Sequence, residues 1–281
     1  MSISKEQQLW EASTSGDLEA VKHLASDPGV NVNWGDPEFN RTAFYRACFL
    51  GRLSVVEFML NHPQVEVNKS QLEGATPFYA ACQEGHLEVA KLLLADMRID
   101  VNKLNRYHST PLLKASEKGF MPIVQLLLAS ERLVDTKIKT IDGSARWNNK
   151  TAAEIARLQG NGLSIAALLD SFDADPDATR QQLRELPGLR DSFISDLFAL
   201  VVFLCDDLLA VGTESSVSSS SSSPLRKAAR FFRMTQHLPM ELQMMMCNRV
   251  FGAGKNSVLT KHSEPAFKKL GRFLATTANE R

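Results

Sequence analysis

Cysteine is scarce in this chain of 281 residues, and the four present, Cys48, Cys82, Cys205 and Cys247, are too few and too scattered for a disulfide framework. Long apolar runs are missing too. The longest, Leu197 to Cys205, has nine residues, well short of the roughly 20 that a membrane helix needs. The opening stretch from Met1 to Gln8 is polar and holds no apolar segment of the kind a secretory signal requires. An intracellular, reducing setting follows as the expectation, cytoplasmic or nuclear. Net charge is zero, with 32 Lys and Arg against 32 Asp and Glu, and no nucleic-acid partner is expected.

Catalytic and cofactor signatures are equally sparse. The six histidines, at 23, 62, 86, 108, 237 and 262, show no metal-ligand spacing with one another or with the cysteines. Asp173, Asp175 and Asp177 have the alternation of a calcium loop, but Ala178 stands where its obligatory Gly belongs and Arg184 where its bidentate Glu belongs. Gly252-Ala253-Gly254-Lys255 resembles part of a phosphate loop, yet Arg249 replaces the first Gly and Asn256 follows the Lys. No nucleophile, base and orienting group can be named from spacing. The expectation is no enzyme, no cofactor and no metal.

What is present is a repeat. Thr76 to Asn102 reads as two short helices and an extended arm, with Thr76 as cap, Pro77 in the first helical position and Gly85 as the left-handed end. Leu87, Ala90, Leu93 and Leu94 then recur at helical spacing. Neither helix can bury its apolar face inside so short a unit, so neighbours of the same kind are required. The Ala-x-x-x-Gly signal recurs at Ala12/Gly16, Ala47/Gly51, Ala81/Gly85, Ala115/Gly119 and Ala156/Gly160, the first four glycines being 35, 34 and 34 residues apart. The capping Thr recurs at Thr42, Thr76, Thr110 and Thr151, where a last step of 41 places an insertion near Ile141 to Lys150. Gln7 stands at this position in the first unit, whose polar face suits a terminal repeat, and Trp10, in register with Tyr45 and Tyr79, is expected as a core plug. Cys48 and Cys82, in register with each other, are expected as small buried residues. The arm recurs as Val32-Asn33, Val67-Asn68 and Val101-Asn102.

These residues make residues 3 to 172 resemble an ankyrin-repeat protein, with Gly85-His86-Leu87-Glu88-Val89 matching the family's second-helix motif. The first-helix motif departs from it, since Tyr45, Tyr79 and Leu113 replace the usual His. The resemblance implies that the inter-repeat loops form hairpin fingers which, with the first helices, line a concave surface that holds other proteins. Trp34, Phe39, Leu72, Tyr107 and Trp147 lie in those loops, with Arg41, Arg106 and His108, and are types that dominate interface energetics. Trp34, Tyr107 and Trp147 are expected to be accessible. Phe49 and Leu50, just before a repeat Gly, are apolar where Gln83/Glu84 and Glu117/Lys118 are polar, and either join the binding patch or pack on the first repeat.

The remainder of the chain separates by charge. Residues 170 to 214 carry about −7 and residues 224 to 281 about +8. The sequence predicts an acidic turn after Phe172 that caps a helix, acidic and apolar helices over 173–212, a Ser-rich linker over 213–223, and basic helices over 224–281. The Ser run is the expected place of phosphorylation, and the basic tail is expected to pack on the chain's own acidic helices. Leu238-Pro239-Met240-Glu241-Leu242 resembles the opening helix of an F-box, which implies an alternative role as a ubiquitin-ligase substrate adaptor. The fold expected is all-α: an ankyrin-repeat domain over 1–172 and a C-terminal helical bundle. The function expected is a non-enzymatic scaffold that binds another protein on its fingers and concave face.

Overall fold

The computed structural model describes residues 3–130, 132–141, 147–159 and 162–186. Over them the chain is all-α, with extended pairing limited to a single antiparallel bridge between Gly35 and Thr42. Five helix pairs succeed one another: α1 (Lys5–Ser15) with α2 (Leu18–Ala25), α3 (Ala43–Phe49) with α4 (Leu53–Leu60), α5 (Pro77–Glu84) with α6 (Leu87–Leu94), α7 (Pro111–Lys118) with α8 (Met121–Ala129), and α9 (Ala152–Leu158) with α10 (Leu163–Ala174). A final helix, α11 (Pro176–Arg184), follows. Helices this short are marginal alone in water, so the stack has to supply their stability.

The ends of the first helices are set by local chemistry. Thr42, Thr76, Thr110 and Thr151 each accept, through Oγ1, the backbone N–H three residues on, at 3.0, 3.1, 3.1 and 3.3 Å. Glu154 returns the bond to the Thr151 N–H at 2.8 Å, completing a capping box. Gly85 closes α5 at φ 81°, and a Cβ there would come within 2.9 Å of the Phe120 ring, so conformation and space both demand glycine. The first unit differs from the expectation. Its cap is Ser4, not Gln7, and α1 is consequently longer than the other first helices.

First helices pack on first helices and second on second, giving two parallel rows. Leu9, Phe44, Phe78 and Leu112 occupy the same place in successive repeats and are all buried, as are Val21, Val56, Ala90 and Val124 from the second row. Ala12, Ala47, Ala81, Ala115 and Ala156 are buried where a larger side chain would hold the helices apart. Cys48 and Cys82 are free, fully buried thiols, and burial pushes both thiol pKa values up.

Polar side chains stitch one repeat to the next. The arm residue Asn33 donates from Nδ2 to Gln64 O (2.6 Å) and accepts the Glu66 N–H (2.9 Å). Asn68 does the same with Arg98 O (2.6 Å) and the Asp100 N–H (3.0 Å), and Asn102 with Leu133 O (2.6 Å) and the Asp135 N–H (3.0 Å). Behind the second helices a further series bonds carbonyls at or just past their C-terminal ends. His62 donates to Ala25 O (3.2 Å), Arg98 to Leu60 O (2.7 Å), Arg132 to Asp96 O (3.1 Å) and Arg180 to Ser130 O (3.1 Å).

The compact unit extends to Leu183, past the boundary expected at 172, which falls inside α10. Asp175 makes the acidic turn: its Oδ1 accepts the Ala178 N–H at 3.0 Å and so caps α11. That helix buries Thr179 and Leu183 and lays Arg180 over the Phe172 ring at 5.4 Å. The apolar helices, Ser-rich linker, basic tail and F-box-like segment expected beyond it lie outside the described residues, as do Cys205 and Cys247.

Candidate functional site

Four loops project from the first helices, and each closes in the same way. The N–H groups of Asp36, Gln71, Asn105 and Thr140 donate to the carbonyls of Arg41, Ala75, Ser109 and Lys150 at 3.1, 3.0, 3.1 and 3.1 Å. One residue in each loop takes the left-handed conformation: Asn40 (φ 56°), Gly74 (84°), His108 (53°) and Asn149 (55°). Asp36 fixes its loop further by accepting the N–H groups of Glu38, Phe39 and Arg41, as Asn105 does for Tyr107 and Ser109. The long fourth loop closes between Thr140 and Lys150 as the others do.

Successive fingers are bonded to each other. Leu72 N–H donates to Phe39 O (2.8 Å), Arg106 N–H to Glu73 O (2.9 Å) and Ile141 N–H to Tyr107 O (2.9 Å). The tips thus form one continuous hydrogen-bonded row. Along it Leu72 is 71% exposed, Ile141 58% and Tyr107 37%. Arg106 pairs with Glu73 of the preceding finger at 2.7 Å, lies 4.7 Å over the Tyr107 ring and donates to its hydroxyl. That hydrogen bond leads the causes that raise the Arg106 pKa.

The first finger and α3 bring together an aromatic and cationic cluster. The Arg41 guanidinium lies 4.2 Å over the Phe39 ring and 6.0 Å from the Phe49 ring centre. Arg46, on α3, lies 4.8 Å over Trp10 and 5.7 Å from the same Phe49 ring. Phe49 stacks on Tyr45 with centroids 6.3 Å apart and ring planes 14° from parallel. The buried Tyr45 hydroxyl has its pKa pushed up to about 12, chiefly by loss of solvation, and the same burial holds the Arg46 pKa below its usual value, helped by the charge on Arg41.

Phe39, Phe49, Leu72, Arg106 and Tyr107 are therefore drawn into this surface. Leu50 caps α3, half-buried next to Phe49. His108 presents an exposed side chain, but its defined task is conformational, as the left-handed residue of its finger. Trp34 and Trp147 belong to the outer fingers and are half-buried instead of open. Trp10, expected as a core plug, is also only half-buried. Its indole N–H donates across to Arg41 O at 2.9 Å.

Arg46, Trp10 as a surface residue and Ile141 were not read as surface features from the sequence. Among the described residues no group of His, Cys, Asp and Glu converges as a metal site, and no helix is long and apolar enough to cross a membrane.

Residues 9–105 match the family model for ankyrin repeats, in three copies. The fourth and fifth helix pairs continue the same stack beyond the matched residues. No curated protein matches the chain.

Proposed function

We propose that this chain, an ankyrin-repeat protein and hence a protein-interaction module, holds its partner along the finger row and the adjoining concave face and acts as a scaffold without chemistry of its own. The observation that carries this reading is the bonded row of fingertips with Leu72, Tyr107 and Ile141 exposed along it. Apolar side chains on a backbone already fixed by hydrogen bonds lose little further freedom on binding, which favours affinity. Those side chains are exposed and contribute nothing to the core. The partner is a protein surface long enough to span three fingers.

Selection of a displayed random-peptide library against the full chain tests this. The ligand obtained should bind the Leu72→Ala/Tyr107→Ala variant about 2 kcal/mol or more weaker, roughly 30-fold in affinity, while thermal stability shifts by under about 1 kcal/mol. A variant that unfolds, or one that binds as well as the parent, would sink the reading.

A further inference from the structure

Fingertip contacts leave the cations at the first finger unexplained. Other described guanidiniums are neutralised or spent. Arg98 pairs with Asp96 (2.7 Å), Arg106 with Glu73 (2.7 Å), Arg180 with Asp177 (3.1 Å) and Arg157 with Asp170. Arg52 and Arg132 donate to the carbonyls of Thr14 and Asp96, each at 3.1 Å. Arg41 and Arg46 have no carboxylate and no carbonyl on their guanidiniums among the described residues. Arg46 directs one N–H, from Nε, to Thr14 Oγ1 at 3.4 Å, and the Nε of Arg41 is buried without an acceptor. A guanidinium carries five N–H donors in a planar fork. Aromatic faces offset part of its charge but accept none of those in-plane bonds. Glu38, the acid closest in the chain, is exposed and makes no ion pair among the described residues, and Asp36, whose charge does reach Arg46, is committed to the amides of its own finger.

Two half-buried cations that share the Phe49 ring, 6.0 and 5.7 Å from its centre, and that pair with no carboxylate among the described residues, repel each other and weaken the free protein unless something gains from them. Their aromatic frame of Trp10, Phe39 and Phe49 supplies the apolar surroundings in which a charge-assisted bond is strongest. The wider charge pattern narrows the ligand. Residues 1–100 hold 8 Lys and Arg against 14 Asp and Glu, so a polyanion such as nucleic acid or an anionic membrane meets net repulsion around the pair. A single carboxylate, whose two oxygens match the guanidinium fork, meets the local attraction with the least repulsion from those acids.

We propose that Arg41 and Arg46 form the acceptor site for one acidic side chain, Asp or Glu, of the partner protein. This rests on the concave-face reading above and specifies its chemistry. The carboxylate enters between the two guanidiniums against the Phe49 ring and fixes the register of the partner along the fingers.

The same displayed-peptide selection, followed by fluorescence anisotropy with the synthesised, dye-labelled winner, tests it. Enriched peptides should share an Asp or Glu at one position. Changing that residue to Asn or Gln, or the protein to Arg41→Gln/Arg46→Gln, should weaken binding about 10- to 100-fold, and the two changes together should cost little more than either. The Arg41→Lys/Arg46→Lys protein, which keeps the charge but not the fork, should retain part of the affinity and melt with the parent, separating loss of the site from loss of the fold.

Peptides without an acidic position, bound equally by the Gln variant yet lost on Leu72→Ala/Tyr107→Ala, would overturn this inference and leave the interaction surface standing. Failure to enrich any peptide would count against both. Binding confined to a peptide with phosphoserine in place of the acid, or arginine-dependent binding to phosphatidylserine vesicles, would replace the partner carboxylate by a phosphate or a membrane.

Discussion

Asn68→Ala isolates the bonds that hold one repeat to the next. The amide side chain of Asn68 makes two bonds to the following arm, donating to Arg98 O at 2.6 Å and accepting the Asp100 N–H at 3.0 Å. Each such bond contributes about 0.5–1.5 kcal/mol net, so the pair is worth about 1–3 kcal/mol. Arg98 and Asp100 are both exposed, which lets water take up the freed carbonyl and amide and removes the heavier penalty of burying them unpaired. The loss should therefore fall in the lower half of that range, about 1.5 kcal/mol. Because stability in a stacked array is set by nearest-neighbour interfaces, the loss should be centred where the second repeat meets the third.

Urea unfolding of the full chain, followed by circular dichroism, measures the total, and native-state hydrogen exchange at the Asp100 amide locates it. Glu66→Ala is the control. Its exposed side chain makes no bond among the described residues, and the stability of the variant should stay within about 0.5 kcal/mol of the parent. If Asn68→Ala costs no more than that control and the Asp100 amide keeps its protection, the arm bonds do not couple the repeats and the reasoning is refuted.

Gly85→Ala should cost more than an ordinary glycine substitution, because φ 81° disfavours any Cβ and the Phe120 ring lies 2.9 Å from where it would stand. A loss of about 1–3 kcal/mol in urea unfolding is expected, and Phe120→Ala in the same background should restore part of it if the ring is responsible. Cys48 and Cys82 should resist iodoacetamide in the folded chain and react on unfolding, as peptide mapping by mass spectrometry would show. Burial raises both thiol pKa values above the ordinary 9.0, so the unfolded state releases these protons first. Their contribution to stability is thus full below about pH 9 and declines as the pH rises further; flat stability from pH 8 to 10 in a Cys205→Ser/Cys247→Ser background would contradict this.

The repeat was legible in the sequence because its determinants are local. A capping Thr acts on the N–H three residues away, a Pro in the first turn needs no partner, and a left-handed Gly is required wherever the chain turns between two helices, so Thr76, Pro77 and Gly85 announce α5 without knowledge of the rest. Period and register then predicted which Leu, Ala and Cys residues are buried, since every unit meets neighbours of its own kind. Tertiary structure decided what happens where that periodicity fails. Trp10 is only half-buried, its indole N–H reaching across to Arg41 O, and Arg180 ties α11 to the repeat stack through Ser130 O. The Arg41, Arg46 and Phe49 cluster is of the same kind. Residues of α1, the first finger and α3 meet there only when the first repeat stacks on the second, a contact that no local pattern encodes because each side chain alone looks like an ordinary surface position.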